Sequence, residues 1–171
     1  DDQRHITPSI AYPYGEEAIQ LDAQGAAILH LGVQESTRGQ AAALIAGYTD
    51  QARWVLAKVS TRANLFTGEA QQHIEYSSIT DFAVEPRFIR IDKAFRNLFV
   101  AEGSRLHYFD ISQFSSPKLL QTVELGEDIT ALEFLVGSVS LIVGTEEGSL
   151  SQWFPVRDER MQKVLFDVAQ F

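Results

Sequence analysis

Apolar and polar residues exchange along this chain over strand-length distances. Three segments pair an apolar run with a turn and then a second run rich in aromatics: Ala43–Asp50 with Arg53–Ser60, Asn97–Gly103 with Arg105–Ser112, and Ser140–Gly148 with Ser149–Val156. Further runs alternate apolar with polar, the pattern of a strand with one inward face. These are Ser78–Val84 and Asp128–Phe134, which share an Ile-Thr pair, together with Ala27–Val33, His73–Tyr76, Lys118–Leu125 and Lys163–Val168. Phe88–Phe95 reads as an extra stretch that widens a hairpin. Turns fall at Thr49–Asp50, Glu102–Gly103 and Glu147–Gly148, where Asp or Gly tolerates the backbone angles a turn needs. Helical patterning is scarce. Gly15–Gln24 and Asp158–Gln170 can be read as amphipathic turns, but Val164, Phe166 and Val168 alternate and favour a strand at the end.

The pattern repeats. Leu44, Leu98 and Leu141 recur at spacings of 54 and 43, and the aromatic runs begin at Arg53, Arg105 and Ser149, at spacings of 52 and 44. Four short strands in such a period is the size of a β-propeller blade. The predicted fold is all-β, a partial β-propeller of about three four-stranded antiparallel blades near residues 26–77, 78–126 and 127–171, after an irregular lead-in over residues 1–25. The competing architecture is a β-sandwich whose hairpins are alike by chance. Closed propellers have about four to eight blades, and a blade touches only its neighbours, so the first and last blades are expected to show bare edges. The chain also starts with Asp rather than Met, and the expectation is a piece of a larger protein.

Composition narrows the function. The 171 residues with 45% apolar content can fill a sizeable core. The longest strongly apolar stretch, Leu132–Gly144, is broken by Glu133, Gly137 and Ser138, well short of a membrane-spanning helix. Fourteen basic against 23 acidic residues give a net charge of −9, which disfavours nucleic acid and anionic membranes as partners. With no cysteine, disulfides, thiol catalysis and Cys-ligated zinc are excluded.

Catalytic signatures are weak. His5, His30, His73 and His107 lack metal-ligand spacing. Ser115–Lys118 fits Ser-x-x-Lys formally, but that motif needs a helix start, and Pro117 with the paired serines reads as a turn. Glu124, Glu127 and Asp128 form an acidic cluster suited to an exposed loop between blades; calcium is the sharper alternative. No cofactor site is expected. Five cations, Arg87, Arg90, Lys93, Arg96 and Arg105, stand within 19 residues that hold only Asp92 and Glu102 as acids.

Gly144–Asp158 carries a more specific signal: a glycine, an acidic turn, then Ser151-Gln152-Trp153-Phe154 and Val156-Arg157-Asp158. It resembles a stretch in the large extracytoplasmic insertion of certain bacterial phosphate ABC transporter permeases. That insertion is propeller-like and lies on the periplasmic side of the inner membrane. The resemblance implies a non-catalytic domain acting in protein interaction or in regulation of phosphate uptake. Its partners would be the transmembrane part of the same permease and the periplasmic phosphate-binding protein. Within the motif, Trp153 and Phe154 must point to opposite faces of a strand, one packing between blades and the other facing a partner or the outside. Arg157 and Asp158 are placed to pair locally. Arg87, Arg90 and Arg96, with Trp153 and Phe154, are the candidate docking residues, the arginines for an acidic partner or for phosphate itself. The bare edges add a second expectation, a homodimer in which three blades plus three close a ring. Two other functions compete: a free-standing scaffold in the WD-repeat manner, though regular Trp-Asp and Gly-His signatures are missing, and a propeller hydrolase with a central metal held by Asp, Asn and Glu.

Overall fold

The computed structural model describes residues 18–36, 42–135 and 140–171. His5 and most of the expected lead-in lie outside them. Twelve strands form three antiparallel sheets, each in simple up-and-down order. The first holds β1 (Ile28–Ser36), β2 (Ala42–Thr49), β3 (Trp54–Ala63) and β4 (Ala70–Ile79). The second holds β5 (Phe88–Ile91), β6 (Asn97–Glu102), β7 (Arg105–Asp110) and β8 (Lys118–Glu124). The third holds β9 (Ile129–Phe134), β10 (Leu141–Thr145), β11 (Leu150–Arg157) and β12 (Lys163–Gln170). There is no helix among the described residues, and so none long and apolar enough to cross a membrane. The C-terminal segment is a strand, as its alternation predicts.

The sheets stack face to face. β1 lies against β5 and β5 against β9, so the first strands line up along one edge, while β8 meets β12 farther out. Two hydrophobic seams fill the gaps. Leu44, Ala46, Tyr48, Trp54 and Leu56 of blade 1 meet Ile89, Ile91, Leu98, Val100 and Phe109 of blade 2. Phe99, Ala101, Leu106 and Tyr108 of blade 2 meet Leu132, Leu141, Val143, Trp153 and Leu165 of blade 3. The middle blade is therefore covered on both faces, which is why Leu98–Ala101 and Leu106–Phe109 are buried without a break. Alternation in these strands sorts residues between two seams rather than between core and water.

One strand assignment changes. Ser78–Val84 does not open the second blade: β4 runs on to Ile79, and residues 80–87 form a non-strand strap. The opening strand is β5, inside the Phe88–Phe95 stretch that the sequence suggested as a hairpin extension. The strap is held by the first blade's aromatics. The Trp54 indole N–H donates to the Val84 carbonyl at 3.0 Å and the Tyr48 hydroxyl to that of Ala83 at 3.1 Å. Asp81 has a positive φ of 56°, a conformation that breaks an extended strand. Pro86 lacks an N–H to give to a ladder. Phe82 fills the seam from the strap, its ring 4.9 Å from both His107 and Phe109.

Turns behave as their residues require. Gly103 and Gly148 take positive φ, at 48° and 86°, in the tight hairpins β6–β7 and β10–β11, where glycine avoids the Cβ clash.

The outer faces of the stack carry exposed apolar side chains. On the first blade these include Leu29, Leu31 and Val33, each more than half exposed; on the third they include Leu150, Phe166 and Val168.

Candidate functional site

The arginine group read from the sequence is divided by the hairpin β5–β6. Phe88 pairs with Ala101 and Ile91 with Leu98, so Arg87 stands at one end of β5 and Arg96 beyond the other. Arg87 and Arg90 converge on one ring: their guanidinium carbons lie 5.5 Å and 6.0 Å from the Phe88 centroid, within cation–π range. Arg90 also reaches Glu133 of the third blade at 3.3 Å. Arg105 is engaged by Glu124 at 3.1 Å and Glu102 at 3.6 Å.

Arg96 instead faces a cleft of about 600 Å³ between blades 2 and 3, lined by Arg96, Asn97, Tyr108 and Ser112 on one side and Pro155, Val156, Arg157 and Lys163 on the other. The turn Asp92–Arg96 sets one wall. The Asp92 carboxylate accepts from the backbone N–H of Arg96 at 2.7 Å and of Asn97 at 2.9 Å, and from the Asn97 amide at 3.0 Å. Tyr108 donates its hydroxyl hydrogen to Asn97 Oδ1 at 2.7 Å. Burial, followed by the charges of Asp110 and Asp92, pushes the Tyr108 phenol up to about 12, so it stays a neutral donor.

The facing wall is pinned to the second blade by polar contacts. Lys163 Nζ lies 2.7 Å from Asp110 Oδ2. Burial opposes the charge on Asp110, but hydrogen bonds from Lys163 and Ser112 outweigh it and hold the carboxyl below its ordinary range. The Leu165 backbone N–H donates to Gln121 Oε1 at 2.8 Å. Arg157 does not pair with Asp158. Its Nη1 donates to the Met161 carbonyl at 2.8 Å, while Asp158 Oδ1 accepts from the N–H groups of Arg160 and Gln162 and closes the β11–β12 turn. Arg157 and Lys163 are the cleft cations that the sequence did not point to, because their union with Arg96 depends on how two blades dock.

Trp153 and Phe154 part as strand geometry demands. Trp153 is 8% exposed and belongs to the seam with the middle blade, its indole N–H donating to Ser151 Oγ at 2.8 Å. Phe154 is on the opposite face, half-buried beside its cross-strand partner Phe166.

The remaining candidates are spread apart. His30 meets Glu85 at 2.9 Å and His73 meets Glu75 at 3.4 Å. His107 is buried, with Nδ1 at 2.9 Å from Thr122 Oγ1 and Nε2 at 3.4 Å from Glu102 Oε1. Burial lowers its pKa from the usual value, against the opposing pull of Glu102. Of the acidic cluster, Glu124 accepts from the Ser104 hydroxyl and from Arg105, and Glu127 from the Thr145 hydroxyl. Among the described residues no three His, Asp or Glu side chains gather in a way that could hold a metal ion. Ser115–Lys118 crosses a turn into β8 rather than a helix start.

No family model matches this chain, and no curated protein matches it. Solved structures do. The Hsv2 protein of Kluyvelomyces marxianus, a β-propeller, superposes with a TM-score of 0.52 at 14% sequence identity, over 81% of this chain and 44% of Hsv2. This chain thus spans less than half the length of that propeller. At such identity the likeness concerns fold alone, and it agrees with the sheet order and stacking: the chain is a partial β-propeller of three four-stranded antiparallel blades.

Proposed function

We propose that this chain is a non-catalytic, extracytoplasmic propeller-like domain of a bacterial phosphate ABC transporter permease, acting in protein interaction or in regulation of phosphate uptake. The observation that carries the reading is the Gly144–Asp158 segment, whose sequence resembles the periplasmic insertion of those permeases and which forms the β10–β11 hairpin of the third blade. The partial propeller and its exposed apolar outer faces are consistent with a module that works against neighbours. Those neighbours are the transmembrane part of the same permease and the periplasmic phosphate-binding protein. The docking residues of this reading are Arg87 and Arg90, gathered at Phe88, Arg96 beyond the other end of β5, and Phe154 on the outer face of blade 3, whereas Trp153, expected among them, is buried in the seam with the middle blade.

The test is made on the complete gene product. Membrane spans flanking this domain, together with phosphate uptake or its regulation altered when the domain is deleted, are the expected results. A complete protein without membrane spans overturns the reading and favours the free-standing scaffold. The homodimer is tested on the isolated domain: light scattering at micromolar concentration should give twice the chain mass, and a monomer refutes it.

A further inference from the structure

We propose that the cleft between blades 2 and 3 binds a small tetrahedral oxyanion dianion of the phosphate class, clamped between Arg96 and Arg157. The site stands on geometry and goes beyond the transporter reading, which neither requires it nor falls with it.

The argument starts from what each charged group near the cleft already does. Both carboxylates are spent. Asp92 accepts three hydrogen bonds from its own turn. Asp110 is taken by Lys163 and by the Ser112 backbone N–H and hydroxyl, at 2.7, 2.9 and 2.6 Å. The guanidinium groups are not spent. Arg96 is exposed and has no side-chain partner among the described residues, and Arg157 gives one N–H to Met161, leaving the rest of its fork unengaged. Arg96, Arg157 and Lys163 line the cleft and no carboxylate is among its described lining residues, in a chain whose total is −9. A general attraction for anions is therefore absent, and binding has to be local.

Two guanidinium forks across one cleft suit a ligand with several equivalent oxygens, since each fork can donate two parallel hydrogen bonds. A monovalent spherical anion offers no such match. The two arginines belong to different blades, so the bound anion bridges them. A ligand that binds the folded state and bridges a seam raises the melting temperature.

The experiment measures the melting temperature of the whole chain in sodium phosphate and sodium chloride at equal ionic strength, alongside calorimetric titration with inorganic phosphate. Phosphate at ten times its Kd should raise the midpoint by about 3 °C over chloride, with one site per chain. In the double variant R96Q/R157Q both the shift and the titration heat should vanish. R105Q, which removes a cation held by Glu124 and Glu102 elsewhere, should keep them. Sulfate should substitute for phosphate. An equal shift in chloride, no titration heat in the unaltered chain, or unchanged binding by the double variant would overturn the proposal. Loss of phosphate binding leaves the transporter reading standing, and a gene without membrane spans leaves the cleft standing.

Discussion

Gly32 on β1 faces Ile89 on β5 so closely that a Cβ at position 32 would stand 2.5 Å from Ile89 Cγ2 and 2.8 Å from its Cβ. The first blades meet there along their inner strands, and the missing side chain permits the approach. Gly32→Ala should force β1 and β5 apart and destabilise the chain by about 1–3 kcal/mol, read in urea unfolding. Ile89→Ala should itself destabilise, yet combined with Gly32→Ala it should cost less than the sum of the two. Strict additivity would show that the approach is not tight.

His107 predicts a pH dependence. Its folded pKa lies below the unfolded value, so protons bind preferentially to the unfolded chain. Stability from this group is complete above the unfolded pKa of about 6.5 and falls as pH drops from there toward the lower folded value. Asp110, also lowered, acts further down, below its ordinary value of 3.8. Unfolding free energy should therefore decline between pH 7 and 5, and His107→Gln should flatten that stretch. An unchanged slope in the variant would assign the effect elsewhere.

The Leu165 N–H depends on a side chain of the neighbouring blade. Gln121→Ala removes its acceptor and should cost about 1–3 kcal/mol if the donor stays dry. Amide exchange at Leu165 should quicken more than at Leu106, whose bonds lie within the middle blade. Equal protection in variant and parent would mean another acceptor takes over.

Phe82 is the strap's anchor. Phe82→Ala should cost about 2–4 kcal/mol, below the range for a fully enclosed phenylalanine because the side chain is only partly buried. The loss should be local to the first seam: in a Trp153→Phe background, Trp54 fluorescence should shift to longer wavelength. No shift would place Phe82 outside the packing that shields the indole.

Eleven of the twelve strands are visible in the sequence because their runs are long or are echoed from blade to blade. The twelfth, β5, has only four residues, Phe88–Ile91, followed by charged Asp92 and Lys93, and it lost the competition to the longer alternating run Ser78–Val84. What defeats that run is tertiary: Trp54 and Tyr48 claim the strap's carbonyls, and nothing near Val84 announces those donors. The candidate site is legible only by halves. The cations around Phe88 can be read from adjacent positions, whereas the cleft joins Arg96 to residues some 60 positions away, and spacing within one blade cannot show what the next blade brings.

The double-faced middle blade makes reading frame within β6 a property of both seams at once. Leu98 and Val100 serve one side, Phe99 and Ala101 the other. A single inserted residue ahead of Leu98 would exchange these sets, putting the bulky Phe99 against Leu56 and Trp54 and a smaller residue against Trp153. In a strand at the rim of the stack such a slip would trade core for water on one side. Here it would mismatch two interfaces together, and β7, with Phe109 on one seam and Leu106 and Tyr108 on the other, shares that sensitivity to indels.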